Sequence, residues 1–366
     1  MKEKYTRHPL FGTNLKNWFK LLEDNKGIER GFYQKAAFVT VLILFFSPAR
    51  ILHKIIYGKK IRNTTIKKTP VFIIGHWRSG TTFLHELMCM DPNLSYISLW
   101  HTLVPDSFLV LEPIKTIVSG FLPRTRPMDE IKVEIDGPYE EEAALSTLLP
   151  WSYFHCFIFP KKASEQFQRS VLFKDLEKND VKRWKQTYQY LIKAVSYQNK
   201  QKRLIIKSPS NTARINTLLE IFPDARFIHI YRNPYEVYKS TMKMRKNVLD
   251  QYALQNTTEE EIRKLVLENY SDLFKEYYNQ KNSIPNDRLI EVRYEDLVLK
   301  PMKTLEEIYE KIDLEGFNEA KPFFQKYLDE KKEYKTNKYV FDKKSIDDVE
   351  KNWDLTIKKW KYNPPE

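Results

Sequence analysis

Cysteine and glycine are scarce in this chain of 366 residues, which holds 2 and 9 of them respectively. Cys89 and Cys156 form no CxxC pair, so zinc ribbons and thioredoxin-like redox sites are excluded. Two lone cysteines in so long a chain fit a reducing compartment. Residues 1–35 lack the apolar core of a signal peptide, and a cytoplasmic protein is expected. The apolar run from Ala36 to Pro48 is shorter than the roughly 20 residues a spanning helix needs. It reads first as a buried or groove-lining helix. The alternative is a peripheral membrane contact through residues 36–62, because Lys54, Lys59, Lys60 and Arg62 follow as a basic collar. Acids are also in deficit: 61 Lys and Arg stand against 48 Asp and Glu, a formal charge of +13. That excess suits an anionic partner such as nucleic acid, an acidic membrane or a polyphosphorylated cofactor, and equally a solvated basic surface.

With glycine so rare, Val71-Phe72-Ile73-Ile74-Gly75-His76-Trp77-Arg78-Ser79-Gly80-Thr81-Thr82 stands out. A buried strand runs into a loop between two glycines and then into a helix. The glycine spacing is that of a phosphate-binding P-loop, with Thr81-Thr82 where that motif has Lys followed by Ser or Thr. Backbone N–H groups at the helix start can still cradle an anion. The lysine that clamps the end phosphates of ATP or GTP is missing, which disfavours a P-loop kinase and points to another nucleotide donor.

Three further apolar runs, Leu204–Ile206, Arg226–Tyr231 and Leu289–Val292, read as buried parallel strands. Helical patterns lie between them, at Thr212–Phe222 and Glu259–Gln280, and another runs from Pro138 to about Leu148. The expected fold is α/β, P-loop-like and three-layered, with a central, largely parallel sheet flanked by helices. Residues 1–69 are expected to form a helical appendage, ending in a turn-like stretch from Gly58 to Pro70 and touching acceptor or membrane. Residues 70–366 then form the main domain.

The polar residues fall at one edge of this sheet. The Gly75 loop, Lys207 and Arg232 each follow the C-terminal end of a strand, where open parallel sheets bind ligands. Ser240 lies eight residues after Arg232 on the next helix, so a guanidinium fork and a hydroxyl could grip a second phosphate.

These motifs resemble those of sulfotransferases that use 3′-phosphoadenosine 5′-phosphosulfate, and most the bacterial branch whose loop reads Arg-Ser-Gly-Thr-Thr. Gly75–Thr82 matches the family's 5′-phosphosulfate loop, and Tyr231-Arg232-Asn233-Pro234 through Ser240 matches its 3′-phosphate motif. Lys207 matches its mid-chain lysine, and Val292-Arg293-Tyr294-Glu295-Asp296-Leu297 a further signature. The likeness runs from about Thr69 to Leu314 and leaves residues 1–68 outside it.

The resemblance implies transfer of a sulfonate to an acceptor hydroxyl, releasing adenosine 3′,5′-bisphosphate, with no metal and no nucleic acid. It implies donor contacts from Gly75, His76, Trp77, Arg78, Ser79, Gly80, Thr81, Thr82 and Phe83. Lys207 would meet charge on the bridging oxygen, Arg232 and Ser240 the 3′-phosphate. Lys335, Lys338 and Tyr339 match a late loop that closes over the nucleotide, although a solvated basic loop reads as well.

A hydroxyl acceptor needs a general base. Cytosolic animal enzymes of the family have a histidine two residues after the matching lysine, where this chain has Pro209. His101 is the first candidate in its place, and the acids Glu140, Glu141 and Glu142 the second. The aromatic stretch from Pro150 to Pro160, with Phe108 and Leu109, suggests a greasy pocket for a sterol-like, phenolic or lipid alcohol. Ordinary core packing explains each aromatic singly. A glycan or tyrosine acceptor stays open, as does a catalytically silent nucleotide-binding protein of the same fold.

Overall fold

The computed structural model describes residues 8–122, 125, 132–331 and 339–365. Along the chain run α1 (Leu15–Asp24), α2 (Tyr33–Arg62), β1 (Val71–Gly75), α3 (Thr81–Met88), β2 (Leu94–Tyr96) and α4 (Leu99–Leu103). Then come α5 (Glu141–Leu148), α6 (Lys178–Gln198), β3 (Arg203–Lys207), β4 (Arg226–Tyr231), α7 (Pro234–Tyr252), α8 (Glu259–Gln280), β5 (Leu289–Arg293) and α9 (Lys343–Trp360), with further helices between them. The chain divides into two compact units. One takes residues 1–67, 97–201 and 244–262, and the other 68–96, 202–243 and 263–366.

The second unit holds a five-stranded sheet in the order β2-β3-β1-β4-β5, and every pairing is parallel. β1 is central and buried along its whole length, as a strand covered on both faces must be. Its side chains alternate between two layers. Val71 and Ile73 join Leu84, Leu87 and Met88 of α3 in one core. On the other face Phe72 packs on Phe227 and Phe222 at ring distances of 5.5 and 6.0 Å. The four strands expected from apolar runs are present. β2, three residues long at the sheet edge, was not anticipated, because so short a run carries no periodic signal.

The first unit is helical. Leu10, Trp18, Leu21, Ala36, Val39 and Ile43 share a core with Ile158, Phe159 and Leu254. The Thr13 hydroxyl and the Asn17 amide both donate to the carbonyl of Thr147, and the Lys35 ammonium donates to those of Gln251 and Ala253. The N-terminal segment is thus built into this unit.

The expected turn at Gly58 is not there. α2 continues through Pro48 and Gly58 to Arg62, 30 residues in all. Pro48 forfeits its backbone bond to the Leu44 carbonyl, and beside it the Ser47 hydroxyl and the Arg50 guanidinium donate to the Ile43 carbonyl. Trp151, Tyr153, Phe157 and Phe159, expected to line a pocket, are buried within the unit.

Candidate active site

Between β1 and α3 the backbone turns through three left-handed positions or their glycine equivalents: Gly75 (φ 145°), Arg78 (φ 70°) and Gly80 (φ 96°). Two of them admit no side chain. A Cβ on Gly75 would lie 2.3 Å from the Ile230 carbonyl oxygen, and one on Gly80 would lie 2.2 Å from the Tyr294 ring. The loop is also tied from within and from its neighbours. The Ser79 hydroxyl donates to the His76 carbonyl at 2.7 Å and approaches that of Ile230 at 3.2 Å. Thr212 Oγ1 accepts from the Gly75 N–H at 2.8 Å and donates to the Gly75 carbonyl at 3.0 Å.

The N-cap of α3 is Gly80, which has no side chain to cap the first turn, so the helix start suits an anion. Thr81 is buried there, and Thr82 Oγ1 accepts from Lys207 Nζ at 3.3 Å. The register of β1 with β3, Ile73 opposite Lys207, brings that lysine to the loop. The Arg78 Nε donates to Ser240 Oγ at 2.9 Å, which links the loop to α7. Arg232 at the end of β4 stacks its guanidinium 4.3 Å above the Tyr294 ring and forks onto the Glu236 carboxylate. Loop, Lys207, Arg232 and Ser240 therefore meet at one sheet edge within a single unit.

The side chains of His76, Trp77 and Phe83 are buried or half-buried. The His76 ring is buried 4.8 Å from that of Tyr270, and its Nδ1 bonds to the Trp77 carbonyl at 2.7 Å. Phe83 packs against the sheet core, and Trp77 is buried. Tyr339 is half-buried outside any helix or strand, and Lys338 and Lys335 lie outside the described residues.

The geometry speaks against the base role expected of His101. Its Nδ1 accepts from the Ser98 N–H at 2.9 Å, closing a capping box at the start of α4. That fixes the proton on Nε2, which donates to Gln198 Oε1 at 2.8 Å. Burial lowers its pKa to about 4. Both nitrogens are thus engaged in structure. Glu142 accepts from the Ser152 hydroxyl at 2.8 Å and the Tyr153 N–H at 2.9 Å. Glu141 accepts from the Tyr188 hydroxyl at 3.1 Å, and both acids are buried. Glu140, the N-cap of α5, is half-buried.

Thr212, Glu236 and Tyr294 were not anticipated. Glu236 stands one helical turn from Arg232, a spacing visible in the sequence. Tyr294 lies inside the 292–297 signature, while Thr212 has no signal beyond its place five residues after Lys207.

Comparison with known proteins bears on this site. A family model described as the Sulfotransferase family matches residues 70–319. The omega-hydroxy-beta-dihydromenaquinone-9 sulfotransferase Stf3 of Mycobacterium bovis is 30% identical over 354 residues, which cover 96% of this chain and 90% of that protein. The protein of the same name from Mycobacterium tuberculosis matches equally. Among solved structures, sulfotransferase STF9 from Mycobacterium avium aligns with a TM-score of 0.70 at 14% identity, covering 96% of this chain and 98% of that one. Sulfotransferase STF1 from M. tuberculosis aligns with a TM-score of 0.65 at 17% identity, covering 86% and 85%. With the family model spanning most of the chain and a relative matched nearly end to end, this chain belongs to the sulfotransferase family.

Proposed function

We propose that this enzyme moves a sulfonate group from 3′-phosphoadenosine 5′-phosphosulfate to the hydroxyl of a hydrophobic, lipid-like acceptor. The observation that carries the reading is a double anion cradle. The uncapped start of α3 with its Gly75–Gly80 loop forms one half, and Arg232 with Ser240 the other. The Arg78–Ser240 bond joins them. A donor with phosphates on both the 5′ and the 3′ side of its ribose fits two such sites, whereas ATP fits one.

The donor supplies an activated sulfonate and a phosphate leaving group. Sulfonate transfer, like phosphoryl transfer, depends on in-line placement and on stabilising charge at oxygen. The loop N–H groups, Thr81 and Thr82 hold the 5′ side. Lys207, aligned with Thr82, meets the charge that grows on the leaving oxygen as the acceptor oxygen bonds to sulfur. Arg232 and Ser240 select the 3′-phosphate, with Glu236 holding the Arg232 fork in its plane. The acceptor hydroxyl also needs a general base to take its proton. The acceptor class rests on the relatives named for a hydroxylated menaquinone, a hydrophobic hydroxyl compound.

Thermal shift tests the donor. Adenosine 3′,5′-bisphosphate is expected to raise the melting temperature well above the effect of ATP with magnesium. Equal or greater stabilisation by ATP would overturn the reading.

A further inference from the structure

We infer that α2 docks the protein on an anionic lipid surface, lying in the membrane interface with one apolar face immersed. The helix is long and apolar enough to cross a bilayer, by length and composition. Its residues nonetheless divide sharply by face. Val41, Phe45, Ile51 and Ile55 are 62%, 72%, 63% and 74% exposed, with Leu44 and Leu52 exposed between them. Their spacing of three, four and seven residues places them on one side of the helix. Continuous exposed apolar area of this kind marks an interaction surface.

The opposite side holds the helix in its unit. Lys35 donates to two carbonyls, Arg50 pairs with Asp106 at 3.3 Å, and the buried His53 ring lies 5.8 Å from that of Phe108. A span would strip these cations from their partners and carry them into hydrocarbon, which is costly. The helix therefore lies on the membrane and does not cross it. Its mean plane would sit at the boundary of headgroups and acyl chains.

Charge identifies the occupant. Between Tyr33 and Arg62 there are six Lys or Arg residues and no Asp or Glu. Lys54, Lys59, Lys60 and Arg62 are exposed toward the C-terminal end. A second copy pairing through α2 would bring no acid to this face. Anionic headgroups supply the missing charge. A second exposed cluster in the same unit, Ile117 and Phe121, follows the short helix Phe108–Leu111 that carries the His53 contact. Docking would bring the enzyme to the phase that holds a lipid acceptor, but the docking itself does not rest on that reading.

The test is sedimentation of the full chain with vesicles of phosphatidylcholine, alone or mixed with phosphatidylglycerol. Binding to the mixed vesicles, weakened by salt, is expected. The double variant Phe45→Ser, Ile55→Ser should lower partitioning by roughly tenfold or more while keeping its melting temperature. Lys59→Glu with Lys60→Glu should lose the preference for the anionic mixture. Three results would overturn the proposal. The chain could stay in the supernatant with both vesicle types. It could form a dimer that Phe45→Ser dissociates, with no vesicle binding. Or it could resist alkaline carbonate extraction from cell membranes, as a spanning protein does.

Discussion

Lys207, Arg232 and Ser240 each sit at a strand end or a fixed offset beyond one, so their placement at one sheet edge is legible in the order of residues alone. Of their partners, Glu236 stands at a helical spacing from Arg232, whereas Tyr294 acquires meaning only when β4 and β5 lie side by side with Tyr231 opposite Arg293. A histidine suits both a base and a helix cap, and His101 is bonded through both ring nitrogens, to Ser98 and to Gln198. Replacing Lys207 with Ala should cut kcat by roughly 100-fold or more, the range seen when a donor to developing charge is removed. Steady-state transfer kinetics check this, and an unchanged kcat would remove Lys207 from the chemistry. Ser240→Ala should weaken adenosine 3′,5′-bisphosphate by about tenfold, as loss of one hydrogen bond to a charged group predicts. Binding of adenosine 5′-phosphate should hardly change, and calorimetry with the two ligands separates these outcomes.

At the scale of the element, the loop between β1 and α3 carries the heaviest demand on sequence. Gly80→Ala would place a Cβ at 2.2 Å from the Tyr294 ring at a φ of 96°. The left-handed position alone costs a residue with a side chain about 1–2 kcal/mol. The variant should lose both melting temperature and the response to adenosine 3′,5′-bisphosphate. Gly120→Ala, whose Cβ would meet its nearest neighbour at 3.4 Å, should leave both intact. β1 and this loop were readable because buried parallel strands and glycine spacing are local signals. The course of α2 was not. Pro48 and Gly58 each argue locally for a break, and the helix persists with Ala36, Val39 and Ile43 packed into a core. Local propensity yields there to tertiary packing.

Across the whole molecule the chain builds two units from interleaved segments, an organisation no linear reading of composition could reveal. Buried histidines occur in both. Burial lowers the pKa of His8 and His85 to about 3, and that of His53, His101 and His155 to about 4. For His85 the charge of Lys207 adds to the effect. Each is neutral in the fold and takes up a proton on unfolding. Stability is therefore complete above the ordinary histidine pKa of about 6.5 and falls as pH drops toward 4, by up to about 1.4 kcal/mol per unit for each group. Asp106, raised to about 6 by burial, opposes this in part, because the folded form binds its proton first. A steep fall in melting temperature between these limits is expected, before ordinary carboxylates titrate. A flat profile there would mean that these rings are not held neutral. The central claim is sulfonate transfer at the double cradle, and it is tested most directly by following labelled sulfonate from 3′-phosphoadenosine 5′-phosphosulfate into a long-chain hydroxylated quinol. The account predicts a sulfated product that disappears with Lys207→Ala. Absence of product from this acceptor and from sterol and phenol acceptors, with the donor bound, would contradict it.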